Sequence, residues 1–141
     1  QRGIKLNYSN LVSPDTAVIA DPEQMKKVIN NIISNSVKYM DKPNGHIDIR
    51  ILDEVDAIRV EIEDNGKGIP SKDLQKIFER FYRTDASRNS AQGGSGIGLS
   101  IVKKIIEDHG GYVWATAKEG EGTCMHFVLR KYIELQPGGT K

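Results

Sequence analysis

Three polar side chains, Asn31, Asn35 and Lys38, recur at the i, i+4 and i+7 spacing that puts them on one face of a helix. That face is expected opposite an apolar stripe of Met25, Ile29, Ile32 and Ile33. Asparagine is a weak helix former, and Glu or Lys would suit a solvated helix interior better. An amide oxygen can ligate Mg²⁺ and a lysine can meet phosphate, so a triphosphate carrying its metal would use such a face. The plainer alternative is the wet side of a helix. Glycines cluster twice, in Asp64-Asn65-Gly66-Lys67-Gly68-Ile69-Pro70 after a strand pattern and in Gly93-Gly94-Ser95-Gly96-Ile97-Gly98-Leu99 before a helix pattern. Such glycines let backbone approach a ligand, and a helix N-terminus offers unpaired N–H groups to an anion. Gly94, Gly96 and Gly98 are spaced GxGxG, so neither the dinucleotide fingerprint nor a P-loop is present. Either cluster alone reads most simply as turn glycines.

The elements that must position these residues follow from periodicity. Ile4 to Ser9 alternates as a half-buried strand, and Ala17 to Ala20 is a short extended run. Asp21-Pro22-Glu23 opens a helix, with Asp as cap and Pro at the first turn, and the helix ends near Met40. Ile47, Ile49 and Ile51, then Ile58, Val60 and Ile62, form a hairpin across an acidic turn. A second helix is predicted over Ser71 to Arg83, burying Leu74, Ile77, Phe78 and Phe81. Thr84 to Ser95 is a polar loop long enough to be a functional lid. A third helix runs from about Gly96 to His109 and closes at Gly110-Gly111; Tyr112 to Lys118 and Thr123 to Lys131 form a last strand pair. The fold class is α+β: a two-layer α/β sandwich, a mixed sheet of about five strands packed on three helices, with a mobile lid.

The chain has 141 residues, 38% of them apolar and 28% charged, which suits one domain and excludes a disordered tail, a collagen-like repeat or a coiled coil. Twenty basic against nineteen acidic side chains give a formal charge of +1, which argues against nucleic acid or a membrane surface as partner. The lone Cys124 has no disulfide partner and no zinc cluster around it. Residues 1–133 are read as the domain and 134–141 as a tail, both belonging to a longer protein.

Four segments stand in a telling order: Asn31-Ile32-Ile33-Ser34-Asn35-Ser36-Val37-Lys38-Tyr39, Asp64 to Ile69, Phe78-Glu79-Arg80-Phe81-Tyr82-Arg83, and Gly94 to Leu99. They resemble the N, first glycine, F and second glycine boxes of the catalytic ATP-binding domain of two-component sensor histidine kinases. Gly120 to Thr123 with Phe127 resembles that family's last box. The resemblance implies the Bergerat α/β sandwich. It also implies that Asp64 accepts the exocyclic amine of adenine, supported by Thr123 (which otherwise reads as a strand threonine). Asn35 would hold Mg²⁺, with Lys38 and Tyr39 at the phosphates or their waters, and Asn31 would belong to the same nucleotide site. Gly66, Gly68, Ile69, Tyr82, Arg83, Gly94, Ser95, Gly96, Ile97, Gly98 and Leu99 would complete the nucleotide site. Arg83 and Arg88 are candidates for the γ-phosphate when the lid closes, and with Asn35 they form the expected catalytic set.

Asn31 stands where self-contained ATPases of the superfamily carry a water-activating glutamate, and an amide takes no proton at neutral pH. Slow hydrolysis is therefore implied, with phosphoryl transfer to a histidine on a separate dimerisation domain and then to a response regulator. His46, His109 and His126 do not match an acceptor box and are expected at a turn, at a helix end that favours a cation, and in a strand. Ser36 and Ile97 depart from the commoner Ala and Leu without endangering nucleotide binding. A monomer on the cytoplasmic side of a membrane-anchored bacterial parent is the expected setting. A different superfamily ATPase or serine kinase, and a degenerate nucleotide-binding switch, are the rival readings.

Overall fold

The computed structural model describes residues 3–79 and 98–132. Its elements are β1 (Lys5–Asn10), α1 (Pro22–Lys38), β2 (His46–Asp53), β3 (Ala57–Asp64), a 3₁₀ turn (Ser71–Asp73), α2 (Gly98–Asp108), β4 (Tyr112–Lys118) and β5 (Gly122–Arg130). They build a five-stranded mixed sheet in the order β1-β2-β3-β5-β4, with β1 and β2 parallel and every other pair antiparallel.

Local chemistry sets the helix boundaries. Asp21 caps α1, its Oδ1 accepting from the N–H groups of Glu23 at 2.9 Å and Gln24 at 3.4 Å, and Pro22 fills the first turn without wasting a donor. Gly110 and Gly111 close α2, donating to Glu107 and Ile106 carbonyls at 3.0 Å each in a Schellman pattern. Isoleucines at alternate positions of β2 and β3 face the helices, and Val28 and Ile32 of α1 meet Val102 and Ile106 of α2 over Ile47, Ile62 and Phe127. Each such side chain contributes roughly 1.5–3 kcal/mol through burial, which fixes the registers on which the site depends.

Two expectations are corrected. Residues 71–79 are not α-helical: the 3₁₀ turn at Ser71–Asp73 continues in i→i+3 bonds such as Lys76 N to Asp73 O at 2.8 Å and Glu79 N to Lys76 O at 3.0 Å. Leu74 and Ile77 are three apart, a spacing that an α-helix and successive 3₁₀ turns serve equally well. Ile77 is buried as expected, whereas Phe81 lies outside the described residues. β1 is a strand, but all six of its residues are exposed, because the helices pack over the β3, β5 and β4 side of the sheet. His109 sits at the end of α2 as expected, its Nε2 accepting the Asp21 N–H at 3.1 Å and its Nδ1 2.8 Å from Ile105 O.

The sheet face turned away from the helices carries a charged and aromatic lattice. Arg50 bonds Glu61 at 3.0 Å and Glu63 at 2.8 Å; His126 Nδ1 lies 3.2 Å from Glu61, its Nε2 meets Thr116 Oγ1 at 3.0 Å, and its ring stacks on Trp114. Burial pushes the His126 ring below its ordinary value, and this outweighs the pull of Glu61. Cys124 is free and buried; burial and the nearby Glu61 and Glu63 push its thiol up to about 12, so it stays protonated. No helix among the described residues is long and apolar enough to cross a membrane.

Candidate functional site

Asp64 ends β3, where the inward alternation of Ile58, Val60 and Ile62 delivers a carboxylate to the helix side of the sheet. It is buried, at 9% exposure. Its Oδ1 accepts the N–H of Gly66 at 2.8 Å and of Thr123 at 3.3 Å, Thr123 standing opposite it on β5. Burial raises the Asp64 pKa, the hydrogen bonds from Gly66 and Thr123 oppose that, and Glu63 adds to the rise. A carboxylate so held is an acceptor with capacity to spare, placed where solvent is scarce.

The loop that follows is clamped on both sides. Lys67 N–H donates to Tyr39 O at 3.3 Å and Gly120 N–H to Lys67 O at 2.7 Å, while the Lys42 ammonium spans Gly66 O at 2.9 Å and Gly120 O at 3.0 Å. Asn65 accepts the His46 N–H at 2.8 Å and donates to Asn44 O at 3.1 Å, so its work is to hold the loop rather than face a ligand. Gly68 has φ +76°, and a Cβ there would fall 2.4 Å from Lys118 O; at Gly122, φ +138°, it would fall 2.0 Å from Asp64 O. Both positions therefore exclude any side chain.

On α1 the asparagines are not opposite the buried face. Val28, Ile32 and Ser36 are the buried positions, and at 100° per residue Asn35 lies about 60° from Ile32. Asn31 and Asn35 are accordingly half-buried, on the shoulder of the helix between core and solvent. Among the described residues, no hydrogen bond ties down either amide. Lys38 and Lys67 place their ammonium groups 5.4 and 5.6 Å from the Tyr39 ring centroid, and neither is paired with a carboxylate among the described residues. The start of α2 adjoins this shoulder, since a Cβ on Gly98 would lie 3.4 Å from Asn31 Oδ1.

The fold thus brings Asn31, Asn35, Lys38, Tyr39, Asp64, Gly66, Gly68, Gly98 and Thr123 around one end of α1. Ile69 and Leu99 pack instead against the hydrophobic core. Tyr82, Arg83, Arg88, Gly94, Ser95, Gly96 and Ile97, and with them the predicted lid, lie outside the described residues. No group of three His, Cys, Asp or Glu among the described residues could hold a metal. An Mg²⁺ here would rest on the Asn35 amide and on ligand phosphates, a donor set that suits a hard cation using few protein ligands. Lys42 escaped the sequence reading, as one charge among many in its breaker segment, and the burial of Ser36 becomes visible only once α1 is docked.

Residues 20–133 match the family described as histidine kinase-, DNA gyrase B-, and HSP90-like ATPase. The chain is 41% identical over 122 residues to sensor histidine kinase WalK of Bacillus subtilis, covering 85% of this chain and 20% of that protein. Against sensor protein kinase WalK of Staphylococcus aureus it is 39% identical over 111 residues, covering 77% of this chain and 26% of that protein. The chain spans only about a quarter or less of these relatives. Among solved structures, the mycobacterial sensor histidine kinase MprB superposes with a TM-score of 0.79 at 29% identity, over 92% of this chain and 84% of that one. A nucleotide-free catalytic domain of histidine kinase ThkA gives 0.75 at 32%, over 92% and 81%. Full-length ShkA in complex with AMPPNP gives 0.79 at 25%, over 96% of this chain and 27% of that one. With the family match running from before α1 to beyond β5, the chain belongs to the histidine kinase-, DNA gyrase B-, and HSP90-like ATPases, and its relatives within that family are sensor histidine kinases.

Proposed function

We propose that this chain is the catalytic module of a sensor histidine kinase, spanning residues 1–133, which binds Mg²⁺·ATP and donates the γ-phosphoryl group to a histidine on a separate dimerisation domain. The observation that carries the reading is Asp64: a buried carboxylate held by Gly66 and Thr123, beside a helix shoulder whose amides and lysine have no hydrogen-bond or carboxylate partner among the described residues. The ionised carboxylate accepts a hydrogen bond from the 6-amino group of adenine. Guanine presents an oxygen at that position, and two acceptors facing each other in a dry site repel. A charge-assisted bond of this kind is worth roughly 1.5–3 kcal/mol, enough to favour ATP over GTP at least tenfold.

Lys38 and Lys67, whose ammonium groups both lie over the Tyr39 ring, attract the phosphates. Asn35 supplies the protein ligand for Mg²⁺, which when bound screens the phosphate charge. Arg83 and Arg88 are assigned to the γ-phosphate by family resemblance. Asn31 takes no proton, so water is not activated here and the phosphoryl group is kept for its acceptor. The absent partners are the acceptor domain of the same parent protein and a response regulator, and the parent is placed at a bacterial membrane with this module in the cytoplasm.

Mixing the chain with the dimerisation domain of its parent and γ-labelled ATP tests the reading. Label should appear on a histidine of that domain, in an acid-labile form. No label on any histidine, with nucleotide binding intact, would reduce the chain to a nucleotide-binding switch.

A further inference from the structure

A lysine ammonium has three N–H donors, and at Lys42 the fold supplies three acceptors: Gly66 O at 2.9 Å, Gly120 O at 3.0 Å and Asp41 Oδ1 at 3.1 Å. Asp41 is its exposed sequence neighbour, and a surface pair of that kind contributes little alone. The two carbonyls are different. One belongs to the loop after β3 and the other to the turn between β4 and β5, so a single cation joins segments far apart in the chain.

Both segments bear on Asp64. Gly66 gives its N–H to Asp64 Oδ1, and its backbone lies so close that a Cβ there would fall 3.1 Å from that oxygen. The β4–β5 turn leads into Thr123, the second donor to the same oxygen. Glycines give both segments backbone freedom, with Gly68 at φ +76° and Gly120 at φ +82°. The Gly120 N–H to Lys67 O bond at 2.7 Å links them beside the ammonium. We propose that Lys42 is a positioning residue for nucleotide binding, its ammonium tying the loop after β3 to the β4–β5 turn and so ordering the two donors that fix Asp64 before a ligand arrives. A loop that must be ordered during binding costs affinity, and the tie removes that cost. With its donors spent on protein acceptors, Lys42 acts at the base end of the ligand and not on phosphate. The inference rests on the adenine reading of Asp64 given above.

Lys42→Met keeps the alkyl stem and removes the donors, whereas Lys42→Arg keeps a cation able to reach both carbonyls. Wild type, K42M, K42R and D64N are titrated with Mg²⁺·ATP by calorimetry and with adenosine, the base without phosphates, by chemical-shift perturbation. Thermal melts check that each variant is folded at the titration temperature. K42M should bind both ligands about fivefold more weakly, the scale of one net hydrogen bond, and K42R should recover most of that loss. If K42M loses affinity for ATP and keeps it for adenosine, Lys42 works on phosphate and the positioning role is overturned. Unchanged affinities in K42M, a K42R as weak as K42M, or a K42M chain that does not fold would overturn it as well. Adenosine bound no better by wild type than by D64N removes the adenine reading itself, whatever Lys42 does.

Discussion

Replacing Asp64 by Asn should separate binding from folding. A carboxylate has about four acceptor sites. Gly66 and Thr123 take two of them, both on Oδ1, leaving capacity for a ligand amine. In D64N the amide oxygen can still accept from Gly66 and Thr123, but the amide N–H₂ then faces the adenine amine donor to donor. The loss of one charge-assisted hydrogen bond, roughly 1.5–3 kcal/mol, weakens ATP binding by about 10- to 150-fold. Stability should move the other way or not at all, because burial already disfavours the charge at this position. Calorimetric titration of Mg²⁺·ATP at neutral pH, paired with thermal melts of both proteins, reads the two effects separately. Equal affinities would refute the hydrogen-bonding assignment, and a D64N chain that no longer folds would refute the claim that a neutral side chain is tolerated there.

Asn35→Ala should abolish the gain in ATP affinity that Mg²⁺ gives the wild type while leaving metal-free affinity within about twofold; titration with and without chelator measures it. Gly122→Ala should destabilise the chain by several kcal/mol, as seen in denaturant melts, because a Cβ would fall 2.0 Å from Asp64 O at φ +138°. The depressed His126 means that the unfolded chain binds more protons just below pH 6.5, so His126 takes stability away as pH falls through that value; H126Q should flatten this limb of a pH series of melts. The raised Asp64 has the opposite sign and restores some stability as pH falls further, so D64N should remove that recovery. ATP turnover by the chain alone should be negligible, and brisk phosphate release would contradict the reading of Asn31.

Features governed by near neighbours in sequence were legible before the structure. Asp21-Pro22 at the head of α1, the β2–β3 and β4–β5 hairpins and the Gly110-Gly111 closure all depend on residues within a few positions of each other. What depends on the docking of distant segments was not. The parallel pairing of β1 with β2 crosses α1, and nothing local announces it. Alternation in Ile4 to Ser9 says that one side of the strand is apolar, not that a helix will cover it, and β1 lies exposed. The asparagines sit on the shoulder of α1 rather than its wet side, because the buried face is centred on Ile32 and extends to Ser36, a residue no hydrophobicity pattern selects. Asp64 was assigned from its setting among glycines, while the Thr123 donor that helps hold it comes from a distant strand and appears only in the fold.

The most direct measurement is a crystal structure of the chain with Mg²⁺ and a non-hydrolysable ATP analogue. The account predicts a purine ring with its 6-amino group hydrogen-bonded to the Asp64 carboxylate and its phosphates running toward Asn35 and Lys38. A nucleotide lodged elsewhere, or a ring whose amine faces away from Asp64, would contradict it.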